Sequence, residues 1–122
     1  MIVNKKQVPV GGSSINTLAA GTIIKGNISA EEDMRVDGLI EGNVNCKGKV
    51  VISQTGEVRG QIICTNIELA GKVSGNIQAT GILVLKHTSI YQGELHIHSL
   101  EIEPGAIFNG TCKMMNATTT GN

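Results

Sequence analysis

Aromatic residues are nearly missing from this 122-residue chain: one Tyr, one Phe and no Trp, 2% of the total. Stacking platforms for bases, and most sugar-binding grooves, need more than that. Charge of one sign is missing too, since ten Lys and Arg balance ten Asp and Glu. A protein held on nucleic acid by bulk electrostatics needs a basic face, so nucleic acid is not an expected partner. No apolar run approaches the ~20 residues of a membrane helix. The N-terminus, Met1 to Gly12, lacks the apolar core and cleavage site of a secretory signal. Cys46, Cys64 and Cys112 form no C-x-x-C pair and are odd in number, which points away from a disulfide framework or zinc site. Buried thiols in a cytoplasmic protein are the expectation. Two Pro stand against sixteen Gly, so the chain turns often, at positions where no side chain fits.

The glycines carry a period. Gly56-Glu57-Val58-Arg59-Gly60-Gln61-Ile62 recurs as Gly71-Lys72-Val73-Ser74-Gly75-Asn76-Ile77 and as Gly38-Leu39-Ile40-Glu41-Gly42-Asn43-Val44, with weaker copies centred on Gly26, Gly93 and Gly110. A second column, Met34/Val36, Val50/Ile52, Ile67/Leu69, Leu83/Leu85 and Leu100/Ile102, keeps the same spacing of 16 to 17 residues. Repeats at fixed period organise a fold before any single element does. Within each repeat the apolar residues alternate, which is the strand period.

Each strand is expected to be only about two to four residues long, with three strands and three corners per repeat. The sequence therefore predicts an all-β, single-domain triangular β-helix of about six coils over residues 17–115, preceded by a flexible segment 1–16 and followed by a tail 116–122. The central Gly of each repeat is expected where a corner brings the backbone too close to the axis for a side chain. Outside the core, Asn27, Asn43, Gln61 and Asn76 are expected to form an amide ladder. Lys25, Glu41 and Arg59 alternate in sign, as cross-strand pairs prefer.

A solenoid exposes a ring of unpaired backbone groups at each end, which monomeric solenoids cover or blunt. Neither the polar stretch Asn4 to Ala20 nor the last coil, Gly105 to Met114, reads as a cap. Identical subunits joined end to end without closing generate a filament. The chain's expected partner is therefore itself.

The repeat Gly-x-Val-x-Gly-x-Ile, the run Arg35-Val36-Asp37-Gly38-Leu39-Ile40-Glu41-Gly42, and Val51-Ile52-Ser53-Gln54-Thr55-Gly56 resemble the bactofilins, bacterial polymer-forming cytoskeletal proteins. The resemblance spans about Thr17 to Met114. It implies a right-handed β-helix that polymerises without nucleotide into filaments of no overall polarity, scaffolding cell-shape or cell-wall proteins at the inner membrane face. It also implies contacts through apolar residues of the terminal coils, here Ile23, Ile24 and Ile28 at one end and Ile107, Phe108, Cys112 and Met114 at the other. Many relatives begin with an apolar membrane-targeting peptide. Here Met1-Ile2-Val3, followed by Lys5 and Lys6, is either a weak peripheral membrane contact or an ordinary disordered start.

Rival chemistry is thin. His96 and His98 point outward on one strand and read as a solvated pair before a metal site. The pairs Asp33/Asp37 and Glu101/Glu103 read as solvated strand charges before catalytic carboxylates. No G-x-x-x-x-G-K-[ST] loop is present, so no nucleotide is expected, and no cofactor. The enzyme alternative is a β-helix acyltransferase or sugar-active protein, but a strict six-residue apolar period and a long loop bearing a catalytic His are both missing. No outward column is Thr-rich, as a surface-binding solenoid would require.

Overall fold

The computed structural model describes residues 15–114, and twelve strands account for most of them. All pair in parallel. The first seven are short: β1 (Ile15–Leu18), β2 (Ile23–Lys25), β3 (Ile28–Ala30), β4 (Asp33–Val36), β5 (Leu39–Glu41), β6 (Val44–Cys46) and β7 (Lys49–Ile52). The remaining five are β8 (Glu57–Cys64), β9 (Asn66–Leu69), β10 (Lys72–Leu85), β11 (Ile90–Ile102) and β12 (Ile107–Met114), all longer except β9.

The pairing winds the chain into a three-faced parallel β-solenoid of six coils. Face one stacks β1, β4, β7, β9 and the ends of β10 and β11. Face two stacks β2, β5 and the first halves of β8, β10, β11 and β12. Face three stacks β3, β6 and later residues of those same four long strands. At ~4.8 Å per coil the stack is roughly 25–30 Å tall.

Strands of 8 to 14 residues exceed the expected two to four. The reason lies at the glycine corner. Gly60, Gly75, Gly93 and Gly110 pair with one another in register, so the ladder runs through the bend without a break. Each has φ between +136° and +149°, a conformation that side-chain-bearing residues rarely adopt. The second reason for glycine differs from the crowded axis expected from sequence. A Cβ at Gly60, Gly75 or Gly93 would land on the carbonyl oxygen of the glycine in the preceding coil, along the stack. The uneven repeat length is absorbed at the other corners. Four residues separate β1 from β2, two separate β4 from β5, and four separate β7 from β8. The longer corners brace the shorter ones: Thr55 donates its hydroxyl to Asp37 O at 2.9 Å, and Thr88 to Ala70 O at 2.7 Å.

The core consists of twenty buried apolar residues, five from each of the four inner coils. Coil three contributes Val50, Ile52, Val58, Ile62 and Cys64. Burying each such side chain contributes ~1.5–3 kcal/mol. The one tyrosine is among them: Tyr91 is fully buried and its hydroxyl lies 2.6 Å from Glu94 O and 2.8 Å from Gly75 O. Removal from water pushes its pKa up, so it stays a neutral donor. Strand pairing starts at Ile15, inside the stretch read from sequence as preceding the coils. Asn16 lies under Met34 and Leu18 under Val36, and two inward positions holding one Asn and one Leu are too weak a pattern to read as a face. The segment 1–14, including Met1, Ile2, Val3, Lys5 and Lys6, lies outside the described residues, as does the tail from 115 to 122.

Charges on the outer surface pair along the stack. Lys49, Glu68, Lys86 and Glu103 link four successive coils with separations of 3.2, 3.6 and 3.3 Å. Arg59 spans Glu41 and Glu57 at 2.9 Å each. Such exposed pairs stabilise weakly. Glu103 also accepts the backbone N–H of His87 at 2.9 Å. That bond, with the Lys86 ammonium, holds the Glu103 carboxyl below its ordinary 4.5. A lowered folded-state pKa gives stability that is present at neutral pH and lost as acid protonates the folded carboxylate. Glu103→Gln is therefore expected to lower the neutral-pH melting temperature slightly and to shrink its fall between pH 7 and 3, as read by circular dichroism.

Candidate polymerisation surfaces

The same five inward positions that are buried in coils two to five recur in the terminal coils, where among the described residues no further coil covers one side. In the first coil they are Asn16, Leu18, Ile24, Ile28 and Ala30, by register with Met34, Val36, Ile40, Val44 and Cys46. In the last they are Leu100, Ile102, Phe108, Cys112 and Met114. Ile102 is 50% exposed and Met114 56%. Phe108 stacks on Tyr91 with ring centroids 5.7 Å apart and planes 14° from parallel, leaving its other face at the end of the stack. Among the described residues, each end is thus a mostly apolar triangle ringed by strand edges.

Of the residues expected to make end contacts, Ile24, Ile28, Phe108, Cys112 and Met114 point into these triangles. Ile23 and Ile107 point sideways instead, in the outward column of face two, 60% and 49% exposed. Leu18, Ala30, Leu100, Ile102 and Ala106 complete the surfaces and were not singled out from sequence. Leu100 and Ile102 already belonged to the periodic column that revealed the repeat, and that column was the available signal.

The three thiols divide by position. Cys46 and Cys64 sit one above the other on face three, both free and buried, and Cys46 donates to Glu32 O at 3.2 Å. Burial pushes the Cys64 thiol up to about 12 and raises that of Cys46. Cys112 is half-buried in the C-terminal triangle and raised by desolvation as well. In subunits kept unassembled by Phe108→Arg, a maleimide reagent at neutral pH is expected to modify Cys112 at least tenfold faster than the other two, as followed by mass spectrometry.

Of the polar groups weighed as sites, His96, Asp33, Asp37 and Glu103 are engaged with their neighbours. Glu94 holds His96 at 3.3 Å and Lys113 at 3.4 Å. Asp33 accepts the Lys49 N–H at 2.9 Å, and Asp37 pairs with Arg35 at 3.1 Å. Among the described residues no group of three or more His, Cys, Asp or Glu is arranged to hold a metal ion. Among these residues, too, no helix is long and apolar enough to cross a membrane.

Comparison with known proteins agrees with this architecture. Residues 16–113 match the family model described as bactofilin, polymer-forming cytoskeletal. The chain is 45% identical to bactofilin BacN of Myxococcus xanthus over 97 residues, covering 80% of this chain and 86% of the relative. It is 31% identical to BacO of the same organism over 97 residues, covering 80% and 77%. The structure superposes on bactofilin BacA, solved by solid-state NMR, with a TM-score of 0.76 at 28% identity, covering 84% of this chain and 97% of that one. It superposes equally on the Thermus thermophilus bactofilin, reconstructed as double helical filaments, with a TM-score of 0.75 at 28% identity over 80% and 96%. Six coils, an apolar core of stacked columns and this match along nearly all described residues have one reading: the chain belongs to the bactofilin family of polymer-forming cytoskeletal proteins.

Proposed function

We propose that this chain is a structural scaffold subunit, not an enzyme, which stacks end to end through its terminal coils without nucleotide. The observation that carries this reading is the pair of half-buried apolar triangles. Each repeats positions that are fully covered in the inner coils, so a second coil laid over it completes burial that is already partly made. Apolar burial is a sufficient drive, and the sequence has no phosphate-cradling loop to couple assembly to a nucleotide. The two ends differ, with Asn16 in one triangle and Phe108 and Met114 in the other. Like ends meeting like ends make two self-complementary junctions, which yields a filament without overall polarity. The family resemblance supports that arrangement.

The double helical filaments of the T. thermophilus relative support a second, lateral contact between strands. Such filaments would present cell-wall or cell-shape proteins at the inner face of the cytoplasmic membrane. Met1, Ile2, Val3, Lys5 and Lys6 would supply a weak contact there, which a polymer multiplies by avidity. Electron microscopy of the purified chain, without nucleotide at moderate salt, is expected to show thin unbranched filaments. Discrete monomers or trimers across salt and concentration would overturn the assembly. Filaments should also float with anionic vesicles in a density gradient and lose that binding when residues 1–6 are removed. Equal flotation of the truncated chain would remove the membrane contact alone.

A further inference from the structure

The three outer faces are not equivalent. Face one carries Asp33, Arg35, Lys49, Glu68 and Glu101, and face two carries Lys25, Glu41, Glu57, Arg59 and Lys72. Face three, across the first four coils, carries no charge on its strands. Its outward positions there are Asn27, Ser29, Asn43, Asn45, Gln61, Ile63, Asn76 and Gln78, by the register of β3, β6, β8 and β10. Charge returns only in the last two coils, where Glu94 pairs with Lys113 at 3.4 Å and lies 3.3 Å from His96.

The amides do not satisfy one another as the sequence pattern suggested. Among the described residues, their one contact on this face is Asn27 Oδ1 accepting the backbone N–H of Asn43 at 3.3 Å. The remaining side chains face solvent as free donors and acceptors, around a shallow open groove lined by Asn27, Asn43, Asn45, Gln61 and Ile63. Ile63, 36% exposed, is an apolar knob in the middle of the field.

We propose that face three of coils one to four is the lateral contact between two filaments of this chain, and the inference rests on end-to-end assembly. Three arguments select a second copy as the occupant. The face is self-complementary, because a primary amide both donates and accepts, so amide meets amide under a twofold axis. It is also the least costly face to dehydrate. Covering face one or two would strip water from ion pairs, whereas amides exchange water bonds for equivalent ones. Third, the area fits polymers and not monomers. Four coils of about four residues present roughly 250 Å², against about 800 Å² per partner in a standard interface. One subunit cannot hold a partner with this face, but a row of subunits can, since each added contact is intramolecular.

The test uses the full chain with Asn45→Lys and Ile63→Lys together. Both side chains point outward, so circular dichroism and the melting temperature are expected to match wild type. Wild-type filaments are expected to be paired. The variant should still form filaments, but single ones, with mass per length halved in scanning transmission microscopy. Mixing it with an Asn45→Glu, Ile63→Glu chain should restore pairing through opposite charge. Val84→Lys on face one is the control and should leave pairing intact. Variant filaments that stay paired, or wild-type filaments that are single, would overturn the lateral contact while leaving end-to-end assembly in place. Wild type that forms no filaments would overturn the assembly reading instead.

Discussion

Phe108→Arg is expected to leave the solenoid folded and to abolish filaments. In the isolated subunit the new side chain has an exit. Its alkyl stem can lie on Tyr91, where the Phe108 ring now stacks at 5.7 Å, while the guanidinium reaches water at the open end. A second coil laid over that end removes the exit and leaves an unpaired charge between two apolar triangles. Stranding such a charge costs about 3 kcal/mol or more per junction, a weakening of over a hundredfold in each stacking step. Sedimentation should place the variant in the supernatant at concentrations where wild type pellets, with an unchanged β-sheet spectrum. Met114→Lys is the companion, since a side chain 56% exposed on the last strand cannot disturb the inner core. Ile107→Lys is the counter-test. Its side chain leaves the same strand sideways, away from the triangle, so it should pellet normally. Phe108→Arg that pellets like wild type with an intact spectrum would move the junction off the C-terminal coil.

The contrast between Phe108 and Ile107 also marks what the sequence could express. Coil number, the inward columns and the glycine corners were legible because burial imposes a period, and a period survives substitution of any single residue. Cys64 and Ile77 differ in chemistry yet sit in columns read correctly from alternation alone. The first face was not legible, because an end coil is half covered and tolerates Asn16 where the inner coils demand Met34 or Val50. The direction of each terminal side chain follows from the corner glycine: Phe108 stands two residues before Gly110, as the buried Val58 stands two before Gly60, while Ile107 falls one earlier, and the register of β12 on β11 agrees. The free amides of face three were misread for another reason. Columnar spacing shows that side chains are neighbours, but the rotamers that decide whether they bond each other or water are not a property of spacing.

Gly60→Ala is expected to prevent folding of the solenoid, and Gly26→Ala to be tolerated. Both glycines have positive φ, +147° and +133°, so each substitution carries backbone strain of about 1–3 kcal/mol. They differ in what the new methyl group meets. At Gly26 nothing lies within 4 Å, because among the described residues no coil lies below the first. At Gly60 the methyl would overlap the carbonyl oxygen of Gly42, with the carbonyl carbon 2.8 Å away. The obstacle is backbone on a paired strand, so relief requires the two coils to separate. Gly60 pairs with Gly75 on the other side, and Gly75 and Gly93 repeat the same contact, so separation cannot be confined to one corner. Opening a coil joint exposes columns such as Ile40, Val58 and Val73, each worth ~1.5–3 kcal/mol when buried. Together with the strain this approaches the whole stability of a domain, about 5–15 kcal/mol. Circular dichroism of purified Gly60→Ala should lack the β-sheet signal, or show a melting temperature lowered by tens of degrees. Gly26→Ala should melt within about ten degrees of wild type. Equal losses in the two variants would mean that strain alone, and not the close approach of successive coils, fixes glycine at this corner.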